Sequence, residues 1–203
     1  MHVGQPGDRR HMKQLHNRAF KEWAIACEAM KMGRQIVLIR KGGIREEDGV
    51  FRVNDPEFFL MPTYEHQTSE LLQTQYLPEL TAMQAAHQDP AIVRIDAYAM
   101  VDTVRTCDDE VTLGRLATEH IWNARYVQMR LNFNPYDPLY VMILKVFRLP
   151  EPLTLDMRPD YGGCTSWVTL ETSLPTSGAI PAIEDREFEE RRAELLDIID
   201  GLK

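Results

Sequence analysis

The chain has 203 residues, 44% hydrophobic and 27% charged, with a net charge of −8. This composition excludes a disordered polymer and is sufficient for one buried core. No run approaches the roughly 18 consecutive apolar residues that a membrane helix needs, so no membrane role is expected.

The start, MHVGQPGDRRHMKQLHNR, is polar and basic and lacks the apolar centre of a secretory signal. Residues 18–32, RAFKEWAIACEAMKM, place Phe20, Trp23, Ala24, Cys27 and Met30 at helical spacing, with Gly33 as the expected C-cap. Gln35–Ile39 reads as a β-branched strand running into the turn Arg40-Lys41-Gly42-Gly43. A second turn at 46–49 precedes strands at 50–53 and 57–61, the latter stopped by Pro62. Residues 64–88 are helical in composition, and Pro78 is placed to open a helix in its first turn.

From Ala91 the period changes to two, and residues 95–103 alternate as a long half-exposed strand. Thr112 is the expected cap of a helix carrying Leu113, Leu116, Ala117, His120 and Ala124 on its inner side. A strand over 126–133 is expected next. LYVMILKVFRL, 139–149, is apolar on both faces and reads as the central strand. Pro150, Pro152 and Pro159 mark a loop ending in Tyr161-Gly162-Gly163, after which 166–170 is a last strand. A charged helix over 184–202 has Phe188, Leu195, Ile198 and Ile199 as its docking stripe.

Strands outnumber single-helix crossovers, which favours an α+β fold over a doubly wound sheet. The expected architecture is a single domain with a mixed or barrel-like sheet, flanking helices and a C-terminal helix. Its divisions are a flexible basic arm over 1–17, a core over 18–171, and a polar linker with the charged helix over 172–203.

The motif segments Lys21-Glu22-Trp23, LIRKGGI at 38–44, PTYEHQ at 62–67, His120 with Trp122, and GGCTSWV at 162–168 resemble a bacterial family of unknown function, number eighteen hundred and two. The likeness spans about residues 18–171, and the family implies no activity, cofactor or substrate. In segment order the chain is also similar to the PUA-like barrels, including the ASCH and EVE domains, which generally bind RNA or modified bases. It departs from the ASCH pattern at Leu38, where a Glu is expected two positions before Arg40. Fold-level likeness does not establish function.

Charge is unevenly spread. Residues 1–45 carry a net +7 and residues 46–203 a net −15. The split fits either a basic contact surface or two parts that attract each other within the fold. The RKGGIR stretch poses the same choice. Gly42 and Gly43 can expose backbone N–H groups while Arg40, Lys41 and Arg45 supply charge, a cradle for phosphate. A charged hairpin turn paired with Glu46, Glu47 and Asp48 is the alternative. No Walker sequence follows.

His66, between Glu65 and Gln67, is a candidate ligand or proton-transfer group at a strand end, and His120 is a second. For both, a histidine satisfied by the fold is the commoner reading. Trp122 and Tyr161 are candidates for a pocket rim. The three cysteines, Cys27, Cys107 and Cys164, are irregularly spaced, as free thiols in a reducing cytoplasm are, and Cys164 fits a small buried side chain better than a nucleophile. No C-x-x-C or H-E-x-x-H occurs, so neither metal nor cofactor is expected.

Three functions follow as expectations. The first is a binding module for RNA, DNA or a nucleotide, with Arg40, Lys41 and Arg45 on phosphate and His66, His120, Trp122 and Tyr161 around the ligand. The second is an enzyme with His66 or His120 as general base in the same pocket. The third is a protein-interaction module whose acidic C-terminal helix docks a partner.

Overall fold

The computed structural model describes residues 12–41, 44–47, 50–53, 55–87, 89–133, 136–163 and 165–201, with 44–47 and 50–52 described by backbone alone. In chain order the strands are β1 (Leu15–Trp23), β2 (Val37–Lys41), β3 (Ile44–Glu47), β4 (Val50–Val53), β5 (Glu57–Thr63), β6 (Ile92–Thr106), β7 (Leu139–Asp156), β8 (Trp167–Pro175) and β9 (Ile180–Pro181). The helices are α1 (Ala24–Lys31), α2 (Leu77–Ala86), α3 (Glu110–Arg115), α4 (Ala124–Asn132) and α5 (Asp185–Ile199). None is long and apolar enough to cross a membrane.

The fold is α+β. A seven-stranded mixed sheet has the order β2-β7-β6-β5-β1-β8, with β9 joined to β7, while β3 and β4 form a separate hairpin. β1 and β5 are parallel and the remaining paired strands antiparallel. Both faces of the sheet are buried, so consecutive residues enter different cores. Phe20, Phe58 and Leu60 join the core under the helices. Ala19, Phe59 and Met61 join a second core on the opposite face, with Val93, Tyr98, Tyr161 and Val168.

Several expected elements are corrected. The helix expected over 18–32 divides at Trp23, because Ala19 to Trp23 pair with Phe59 to Thr63 and extend the sheet. Tertiary pairing here overrides a local spacing that also fits a helix. α1 ends at Lys31 with Met32 as its C-cap rather than Gly33, which follows in the left-handed region with φ of +71° and whose Cβ, if present, would stand 2.2 Å from Ile183 Cγ2. β1 starts inside the expected arm, and the Lys13 N–H donates to Glu57 at 3.1 Å. β2 pairs with β7 and β3 with β4, so these two strands do not form a hairpin with each other, while Gly42 and Gly43 between them lie outside the described residues.

Residues 64–88 hold two short 3-10 turns ahead of α2, which has Pro78 in its first turn as expected. The strand expected at 126–133 is instead α4, capped by Asn123, whose side chain accepts the Tyr126 N–H at 3.2 Å. The cap of α3 is Asp109 rather than Thr112. α3 stops at Arg115, so His120 lies beyond it at the end of a 3-10 turn. The proline loop begins only after Asp156, because β7 carries Pro150 and Pro152 through a register shift against Ile95 and Ala97. Bulges are where a strand tolerates proline.

α5 packs against the rest of the fold through its expected stripe. Phe188 and Leu195 are buried in the helix-side core, Arg191 donates to the Gly33 carbonyl at 2.6 Å, and Arg192 pairs with Asp102. Its apolar stripe is spent inside the fold.

Candidate functional site

The C-terminal end of β1 is where distant segments of the chain meet. Alternation along the strand sends Glu22 and Lys21 to opposite faces of the sheet. Glu22 is buried at 4% exposure and pairs with Arg40 at 3.1 Å. Its other oxygen accepts the Trp23 N–H at 2.8 Å. Arg40 also donates to the Ser166 hydroxyl and lies 4.7 Å over the Phe20 ring. β2 and β8 are the two edges of the sheet, so Arg40 bridges the edges by side chains where no ladder joins them.

An aromatic stack backs this pair. Trp122 and Tyr126 are stacked at 4.6 Å, Trp23 meets Tyr126 at 6.1 Å, and Arg130 lies 5.0 Å over the Tyr126 ring. Burial pushes the Tyr126 hydroxyl pKa up. Gln67 accepts the Ile25 N–H at 3.1 Å and so ties the PTYEHQ segment to the start of α1.

On the other face, the Lys21 ammonium donates to the carbonyls of Gly162 at 3.1 Å and Gly163 at 2.6 Å. It lines a pocket of about 130 Å³ at the open end of the second core. Met61, Val93 and Met157 supply apolar wall, and Tyr64, Glu65, His87, Arg94 and Tyr161 supply the polar and aromatic groups. The Tyr64 and His87 rings stack at 3.6 Å with 9° between their planes. Burial raises the Tyr64 pKa, so its hydroxyl is protonated at neutral pH. Among the described residues Arg94 has no ion pair.

The sequence-predicted residues divide between these regions. Arg40 serves the buried pair, and Lys41 donates to the Leu131 carbonyl at the end of α4 at 3.1 Å. Trp122 is fully buried on the helix side, beneath the same face as His120, at 5.7 Å from it. Burial lowers the His120 pKa to about 4, which leaves the ring neutral near pH 7. His66 is exposed, with φ of 60°, and has no side-chain partner among the described residues. Tyr161 lines the pocket, where its hydroxyl accepts the Glu171 N–H at 3.0 Å. The sheet therefore separates Trp122 from Tyr161. Gly42 and Gly43 lie outside the described residues, as does Cys164, and of Arg45 only the backbone is described.

Lys21, Tyr64, Glu65, His87 and Arg94 were not among the predicted site residues. Lys21, Tyr64 and Glu65 fall in the motif segments KEW and PTYEHQ, so a signal existed for them. His87 and Arg94 carried none, being brought in by the end of α2 and the start of β6.

Cys27 and Cys107 are buried thiols, and burial raises both pKa values, which disfavours a nucleophilic thiolate.

The fold is similar to solved structures of the ASCH protein from Zymomonas mobilis. One has 11% identity and a TM-score of 0.45, covering 88% of this chain and 94% of that one. A mutant form has 10% identity and a TM-score of 0.44, covering 88% and 96%. A second mutant has 8% identity and a TM-score of 0.41, covering 90% and 99%. No curated protein matches the chain. The model of the family described as "Domain of unknown function (DUF1802)" matches residues 19–194, past the 171 at which the motif resemblance ends and into α5, and the chain belongs to that family.

Proposed function

We propose that the chain is a binding module for a phosphate-bearing ligand, either a free nucleotide or one unpaired nucleotide of an RNA or DNA strand. The observation that carries this reading is the pocket composition at the end of β1: Lys21 and Arg94 beside the stacked Tyr64–His87 pair, over an apolar wall. Cations and forked donors suit phosphate, and a stacked aromatic surface beside them suits a base. At about 130 Å³ the pocket is smaller than the roughly 300 Å³ at which sites for drug-sized ligands begin. It fits one planar group rather than a length of duplex.

This reading moves the phosphate contact away from the RKGG stretch. Arg40 is committed to Glu22 and Ser166, whereas Arg94 keeps its guanidinium for a ligand. Charge within the pocket matters more than the net −8 of the chain, because the remaining arginines are largely held by carboxylates such as Glu79, Asp102 and Glu119.

Titration calorimetry with nucleoside monophosphates, and fluorescence anisotropy with a short single-stranded RNA, test the proposal at two salt concentrations. Binding should weaken with salt and fall about tenfold in Arg94→Ala, the scale of one lost charge-assisted contact. Affinity unchanged in both Arg94→Ala and Tyr64→Ala would refute the placement, and no binding of any of these ligands would refute the function.

A further inference from the structure

Glu65 lines the same pocket as Lys21 and Arg94, and among the described residues its carboxylate has no ion pair and no hydrogen bond. The contact at this residue is made by its backbone N–H, which donates to the Thr63 hydroxyl at 3.3 Å. A carboxylate is out of place in a site for a bare phosphate, since like charges repel at close range. It becomes favourable when the ligand brings N–H donors to that wall, so the pocket is built for a molecule with an anionic end, a planar body and a donor edge.

The nucleobases differ in what they offer a carboxylate. Guanine presents two adjacent donors, N1–H and the N2 amino group, which match both carboxylate oxygens at once. Adenine and cytosine each place a ring acceptor beside their amino group, so one oxygen meets a lone pair. Uracil and thymine flank a single N–H with two carbonyls. Bases held in pockets are read through such Watson–Crick edges, with stacking on aromatic side chains.

We infer that the pocket selects guanine among the bases, with Glu65 accepting from N1–H and N2, the ring stacked against Tyr64, and the phosphate held by Lys21 and Arg94. This rests on the nucleotide-binding reading above and adds base identity to it. Glu65 is a specificity-determining residue, and Arg94 an affinity residue indifferent to the base.

Titration calorimetry with GMP, AMP, CMP and UMP on the wild type, Glu65→Gln and Arg94→Ala separates the two claims. Glu65 is exposed, so its substitution leaves the core untouched. The wild type should prefer GMP over the other three by roughly tenfold or more, the scale of one bidentate base contact. Glu65→Gln should lower GMP affinity by a similar factor while AMP affinity holds or rises, because the carboxylate that faced adenine's ring acceptor is replaced by a neutral amide. Arg94→Ala should weaken all four alike. Equal affinities for the four nucleotides, with GMP unmoved by Glu65→Gln, would overturn guanine selection while the response to Arg94→Ala still upholds the pocket. Absence of binding by every nucleotide would overturn both.

Discussion

Acidification should destabilise this protein through His120 before the carboxylates take over. The residue is 2% exposed, its ring lies 5.7 Å from Trp122, and neither ring nitrogen makes a hydrogen bond of normal geometry among the described residues. Burial is the main cause of its lowered pKa of about 4, and the nearby backbone of Trp122 and His120 pulls the other way. In the unfolded chain the ring takes a proton at about pH 6.5. Between these values the unfolded state binds more protons than the native state, so stability falls as pH falls. The contribution is complete above about pH 6.5 and is lost at about 1.4 kcal/mol per pH unit until about pH 4, roughly 3–4 kcal/mol in all. That is a large share of the roughly 5–15 kcal/mol that holds a domain folded. Urea unfolding followed by tryptophan fluorescence, at steps from neutral pH to the vicinity of pH 4, compares the wild type with His120→Leu. The wild-type stability should fall more steeply by about one proton's worth per unit. His16, whose pKa burial also lowers, titrates in both proteins and cancels from the difference. Parallel pH profiles would refute the reasoning.

Arg40→Ala should destabilise the fold by roughly 3–5 kcal/mol, because it leaves the Glu22 carboxylate buried without its partner. Thermal and urea unfolding measure this, and the double variant with Glu22→Gln should recover part of the loss. An unchanged midpoint would show that Arg40 is not the bridge between the sheet edges. Phe188→Ala should cost about 3–5 kcal/mol as a cavity in the helix-side core, and removal of 184–203 should unfold the protein by circular dichroism. A truncated chain that stays folded and fully cooperative would return α5 to the role of an independent docking helix.

The fold class was legible where one signal dominated. The period-two run at 95–103 and the apolar run at 139–149 are both strands of the central sheet, and Phe188 and Leu195 are the buried positions of α5. Errors arose where local and tertiary signals disagree. Tyr126 and Val127 favour a strand by residue type, yet the Asn123 cap and the packing of Tyr126 on Trp122 make the segment a helix. Phe20 and Trp23 stand three apart, as helix neighbours do, but each sits in a strand paired on both sides. The candidate site was legible as motifs and not as geometry. KEW, PTYEHQ and GGCTSW each contribute to the end of β1, through Lys21 with Glu22, Gln67 with Tyr64, and Gly162 with Ser166. Arg40 was conspicuous for its charge, but a charge in a sequence does not show its partner. Its ion pair spans 18 residues, and its second bond, to Ser166, spans 126.

The adjacent residues Lys21 and Glu22 show how one strand end can serve stability on one face and, on the proposed reading, ligand binding on the other. Pairing Glu22 with Arg40 on the helix side neutralises a buried carboxylate and bridges the two sheet edges. That bond also fixes the loop before β8, since Ser166 receives the Arg40 guanidinium while its carbonyl accepts the Lys21 N–H at 2.7 Å. The same loop supplies the Gly162 and Gly163 carbonyls that orient the Lys21 ammonium at the pocket. A change at Arg40 would therefore act on the pocket indirectly, by loosening the loop that holds Lys21. A change at Arg94 would act directly. Nucleotide affinity in Arg40→Ala should accordingly fall only as far as the loop loosens, whereas Arg94→Ala should lose affinity in a protein of unchanged stability. The ratio of lost affinity to lost stability thus separates a residue that holds the site from one that holds the ligand.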